Sequence, residues 1–94
     1  MAVKVLIKRT VPEGADENLM ELLNKLRRLT MGQPGYISGE TLQRADRPGE
    51  NLVISTWESV DAWRKWAMSN ERKAIQDEID ALLGHSTEYE VYTH

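Results

Sequence analysis

The first residues alternate: Val3, Val5 and Ile7 fall on one side of an extended chain, and Lys4 and Lys8 on the other. A period of two marks a strand with one buried face, here predicted over residues 2–10. Pro12 and Gly14 end it. From Asp16 the period changes. Leu19, Leu22, Leu23, Leu26 and Leu29 recur at helical spacing, behind an N-cap at Asp16 and an acidic first turn at Glu17. Lys25, Arg27 and Arg28 gather near the helix C-terminus, where the dipole favours cations, and Gly32 and Pro34 stop it.

Residues 35–45 predict a second strand, with Gly39 marking a bulge or the close approach of another backbone. Asp46, Arg47, Pro48 and Gly49 form a turn, and a third strand from Asn51 to Glu58 follows at hairpin distance. Ser59 caps a short helix carrying Val60, Trp63 and Trp66. Ser69 caps another, with Ile75, Ile79, Leu82 and Leu83 on one face and Gly84 at its end. Arg72, Lys73, Asp77 and Glu78 read as the wet side of this last helix. Arg72 and Gln76, one turn apart, also have the spacing to point together toward the end of the sheet. Residues 86–93 make a final strand with Tyr89, Val91 and Tyr92.

The order is β-α-β-β-α-β, the ferredoxin-like unit of an α+β fold: a four-stranded antiparallel sheet with helices on one face. The pattern then breaks in an informative way. A sheet with one wet face alternates cleanly. Leu52, Val53 and Ile54 instead run consecutively, Leu6 shares a face with the lysines, and Tyr92 lies opposite Tyr89 and Val91. Both faces are therefore expected to be covered. The helices cover one, and a second copy of the sheet covers the other, which predicts a homodimer.

Length and charge narrow this picture. Ninety-four residues with no linker or repeat predict one domain over residues 1–94. A net charge of −3, from 12 basic and 15 acidic residues, argues against a nucleic-acid partner. No apolar run reaches the roughly 18–20 residues of a membrane span, and the N-terminal alternation is not that of a signal peptide. A cytoplasmic location is the default expectation. Zero cysteines exclude disulfides, thiolate metal sites and a cysteine nucleophile.

Candidate chemistry is sparse. The two histidines, His85 and His94, have no metal-ligand spacing with each other or with carboxylates, so no metal site is expected. His85 follows Gly84 and is placed to meet the last helix carbonyls. Glu88 and Glu90 lie two apart on the last strand and read as solvated. There is no Ser-His-Asp order and no phosphate-binding loop. The unusual feature is three tryptophans, Trp57, Trp63 and Trp66, in a chain with no phenylalanine. They read as core packing, as the walls of a flat pocket for an aromatic molecule, or as both.

Pro34-Gly35-Tyr36, the strand end Ile54-Ser55-Thr56-Trp57-Glu58-Ser59, and then Trp63, Trp66, Ser69 and Arg72 resemble the antibiotic biosynthesis monooxygenase (ABM) domain over nearly the whole chain. The resemblance implies a dimeric α+β barrel and a monooxygenase that needs no cofactor. Such enzymes oxidise quinol-, anthrone- or phenol-like molecules with O₂. By the resemblance Trp57 is the candidate catalytic donor through its indole N–H, with Arg72 and Tyr36 as weaker catalytic candidates. Trp63, Trp66, Tyr89 and Gln76 are candidate substrate-binding residues. A related haem-degrading subgroup has an axial His on the last helix and an Asn on the first strand. The matching positions here are Gln76 and Ile7, which argues against haem degradation. Two other readings stay open: a non-catalytic dimeric module that binds a small aromatic ligand, and an isomerase or decyclising enzyme on the same barrel.

Overall fold

The leading alternation becomes strand β1 (Val3–Thr10) in a computed structural model that describes residues 2–94. It is followed by α1 (Glu17–Met31), β2 (Tyr36–Gln43), β3 (Glu50–Trp57), α2 (Val60–Ala67), α3 (Asn70–Leu83) and β4 (Glu88–Tyr92). The four strands form one antiparallel sheet in the order β2-β3-β1-β4. This is the expected ferredoxin-like α+β fold. Both outer strands are three residues shorter than predicted.

The caps act as their residue types dictate. Asp16 accepts from the Asn18 N–H, Ser59 from Ala62 and Ser69 from Arg72, each satisfying a donor that the helix leaves unpaired. Strand register fixes the two faces of the sheet. Val3, Val5, Ile7 and Arg9 lie opposite Trp57, Ser55, Val53 and Asn51, facing the helices. Leu19 and Leu26 of α1, Trp63 and Trp66 of α2, and Ile75 and Ile79 of α3 are buried against that face. The outer face carries Lys4, Leu6 and Lys8 beside Thr56, Ile54 and Leu52.

Three sequence expectations are corrected here. Leu82 is exposed; the buried stripe of α3 runs through Arg72, Ile75, Gln76 and Ile79, so Leu82 lies off its axis. Arg72 belongs to that stripe and not to the wet side. Gly39 is not the bulge, which falls one step earlier between Tyr36 and Ser38. Its close neighbour is a side chain: a Cβ at Gly39 would stand 2.6 Å from the Tyr36 Oη. The missing methyl lets the phenol fold back over β2. Gly35, at φ +84°, serves a different purpose. A Cβ there would meet that of Ala62 at 2.5 Å, so glycine lets the strand entrance press against α2.

Candidate functional site

A cavity of about 270 Å³ lies between α1 and the helix-facing side of β1, β2 and β3. It exists because α1 leaves β2 largely uncovered: Gly39 and Thr41 on β2, and Met20 and Met31 on α1, are exposed and line the mouth. Ile7, Val53 and Leu26 form its apolar floor, and Arg9, Thr30, Tyr36, Asn51 and Ser55 supply polar atoms. Two wider depressions, around the strand ends near His85 and between α1 and α3, are more open and lie on the surface. The cavity under α1 is the least open of the three and the better candidate for chemistry, since a ligand there is partly withdrawn from water.

The tryptophans stand behind this cavity instead of lining it. Trp57 is fully buried, and its indole N–H donates to the Ser55 Oγ at 3.0 Å. That donor is therefore already engaged. Ser55 lines the cavity, and its own O–H remains free to donate, so the indole acts on the cavity through a serine. Trp66 is arranged alike. Its N–H donates to the Thr30 Oγ at 3.0 Å, and Thr30 also lines the cavity while donating to the Leu26 carbonyl. Tyr36 lines the cavity directly and packs edge-on to Trp57, with centroids 5.5 Å apart. The aromatic chain continues from Trp57 to Trp63 at 5.6 Å and from Trp63 to Tyr89 at 6.0 Å.

A second polar group occupies the space between α3 and the sheet. Arg72 is buried, with its guanidinium carbon 5.2 Å from the Trp63 ring centre and 5.0 Å from that of Tyr89. It donates to the Tyr89 Oη at 2.8 Å and, at 3.5 Å, to the Gln76 Oε1. Arg9 donates to the same Gln76 oxygen at 3.4 Å. The amide nitrogen of Gln76 donates to Asp80 and Thr87 at 2.8 and 2.9 Å, and Thr87 donates to Asp80 at 2.8 Å. Burial lowers the Arg9 pKa from its ordinary value, with Tyr89 raising and Arg72 lowering it to smaller extents. The guanidinium nevertheless keeps its charge.

Of the candidates named from sequence, the structure brings only Tyr36 onto the cavity wall. Trp57, Trp63, Trp66, Arg72, Gln76 and Tyr89 form a contiguous layer behind it. Sequence reasoning missed Ser55, Thr30 and Arg9. Arg9 had a readable signal: it is the charged residue that continues the apolar face of Val3, Val5 and Ile7. His85 does not reach the helix-end carbonyls; its ring nitrogens lie 3.1 Å from the Ser86 and Thr10 carbonyl oxygens. Among the described residues no group of three or more His, Asp or Glu could hold a metal ion. Among them, too, no helix is long and apolar enough to cross a membrane.

Comparison with known proteins agrees with this architecture. Residues 2–78 match the family model for antibiotic biosynthesis monooxygenase, and the chain belongs to that family. The matched segment ends before β4, which the structure nonetheless pairs with β1. Protein SchA of Streptomyces halstedii is 24% identical over 91 residues, covering 95% of this chain and 24% of SchA. The chain thus spans about a quarter of that relative. YqjZ of Bacillus subtilis is 29% identical over 87 residues, covering 93% of this chain and 70% of YqjZ. The fold matches SnoaB of Streptomyces nogalater, a cofactor-independent oxygenase, at a TM-score of 0.81 and 20% identity, covering 99% of this chain and 92% of SnoaB.

Proposed function

We propose that the chain is a cofactor-independent monooxygenase that oxidises an electron-rich aromatic molecule, a quinol, anthrone or phenol, in the cavity between α1 and the sheet. The observation that carries this reading is the cavity wall of apolar side chains with free hydroxyls at Ser55 and Tyr36. Ionisation of such a substrate places negative charge on an oxygen, which hydroxyl donors in a withdrawn site stabilise. The electron-rich anion passes one electron to O₂. Recombination forms a C–O bond, and loss of water from the resulting hydroperoxide leaves a carbonyl. The overall change, R₂CH₂ + O₂ → R₂C=O + H₂O, needs no further reductant.

The chain acts as a homodimer in this reading, joined through the outer face of the sheet. Leu6, Leu52 and Ile54 are half-buried there and Leu42 is exposed, with no helix over them. Lys8 and Glu90, paired at 2.8 Å across β1 and β4, flank the apolar patch.

One observation favours a non-catalytic binding module instead. Among the described residues the one carboxylate on the cavity lining is Glu40, which is exposed. Oxygen uptake with a panel of anthrones and hydroquinones separates the two readings. The wild type should consume oxygen, and Tyr36→Phe, which keeps the ring against Trp57 and removes the hydroxyl, should lower the rate by roughly 10–100-fold. Binding without oxygen uptake identifies the module; neither binding nor uptake rejects both.

A further inference from the structure

The cavity has a charged end that neither the family match nor the aromatic residues explain. Arg9 lines it, at the inner end of the apolar row Val3, Val5 and Ile7. A guanidinium offers five N–H donors. Among the described residues its direct hydrogen bond is one long contact, 3.4 Å to the Gln76 Oε1; Tyr89 and Asp80 also favour its charge, and its Nε is sealed from water with no partner. No ion pair among the described residues includes it. The acceptor it does use is shared with Arg72, so two like charges converge on one neutral oxygen.

Asp80 attracts Arg9, but among the described residues no carboxylate forms an ion pair with it. Asp80, the carboxylate of this network, accepts from Gln76 and Thr87 and stands behind the amide. Glu40 is on the cavity lining, but it lies opposite Ile54 on the outer side of edge strand β2 and makes no pair with Arg9. Arg72 differs from Arg9 in its surroundings: its Nη2 donates to the Tyr89 Oη at 2.8 Å, and its guanidinium lies over the rings of Trp63 and Tyr89. Buried charges are ordinarily paired, because water has been removed and nothing has replaced it. Arg9 is half-buried, lines both this cavity and the open depression near His85, and has no ion pair among the described residues; a guanidinium so placed marks a place for an anion.

We propose that Arg9 binds an ionised oxygen of the ligand, a carboxylate or phenolate, so that the cavity selects anionic aromatic molecules over neutral ones of the same shape. This rests on the reading of the cavity as the ligand site. It does not require turnover. Arg9 fixes the charged end of the ligand, while Ser55 and Tyr36 meet polar atoms along the ring.

The test compares 2-naphthoate, 2-naphtholate at a pH above the naphthol's own pKa, and the neutral isostere 2-naphthamide, by calorimetry and thermal shift. Wild type should bind both anions at least about tenfold more tightly than the amide, as a charge-assisted pair in a dry site requires. Arg9→Gln should erase that preference while leaving amide affinity within about threefold. Arg9→Lys should keep part of it, being a cation without the planar fork. A preference for naphthoate alone assigns the end to carboxylates, and a preference for naphtholate alone assigns it to phenolates. Arg9→Gln should also melt at or above the wild-type temperature without ligand, since it removes a half-buried charge that has no ion pair. Equal affinity for anion and amide in wild type, or a preference that survives in Arg9→Gln, overturns the role of Arg9 and leaves the cavity reading intact. Binding of none of the three probes overturns both.

Discussion

Ser55 is the residue on which packing and chemistry meet. On β3 it is a small polar side chain between Val53 and Trp57 on the helix-facing stripe, and its surroundings explain why it is not alanine. The fully buried Trp57 two residues later has an indole N–H that the Ser55 Oγ accepts. Removing an acceptor from a buried donor exposes the full desolvation penalty, about 1–3 kcal/mol. Ser55→Ala is thus expected to lower stability by that amount in urea denaturation. Trp57→Phe introduced on top should be less damaging than Trp57→Phe alone, since the orphaned donor is gone. Strictly additive losses would show that the hydrogen bond contributes nothing. Tyr36 depends on a neighbour in a similar way, since Gly39 leaves the room its phenol occupies.

Between elements, the least obvious tie is the one that joins the end of β1 to the segment between α3 and β4. The His85 ring spans the gap, with Nδ1 facing the Ser86 carbonyl and Nε2 facing that of Thr10, both at 3.1 Å. A neutral imidazole has one N–H and can serve only one of them; the imidazolium serves both. These two carbonyls, Ser86 first, raise the His85 pKa above its ordinary 6.5. Its contribution to stability is complete below the unfolded-state value and is lost as pH rises through the higher folded-state value. The urea midpoint of wild type minus that of His85→Ala should therefore be larger at pH 5.5 than at pH 8.5. The ring is exposed, so solvent screening keeps the difference small. A difference that is flat or grows toward pH 8.5 would overturn the tie.

For the whole molecule, the decisive feature is a sheet with helices on one face only. Leu6, Leu52 and Ile54 on the other face are partly shielded by their neighbours, and among the described residues no helix reaches over them. A second copy would remove this patch from water, and a charge at its centre would oppose that. Sedimentation at micromolar concentration should give wild type twice the single-chain mass of 10.8 kDa. Ile54→Lys should bring it down to that mass while the helical signal persists. A wild-type mass of 10.8 kDa rejects the dimer.

The chain's local pattern determined its elements, caps and turn positions, because the period of apolar residues and the hydrogen bonds of Asp16, Ser59 and Ser69 are properties of short segments. It also determined the fold class, since the order of strands and helices leaves few ways to bury their apolar faces. It did not determine the site. Three tryptophans stood out by composition, yet they pack behind the cavity because large apolar rings are drawn to the most buried positions. The cavity wall is made by residues from four separate stretches, among them Arg9, Leu26, Thr30, Tyr36, Val53 and Ser55. Nothing local relates Thr30 to Trp66 or Arg9 to Gln76, separated by 36 and 67 positions. Only the packing of α1, α2 and α3 on the sheet brings them together, and so only the tertiary structure decided which polar groups face the cavity and where Arg9 comes to lie.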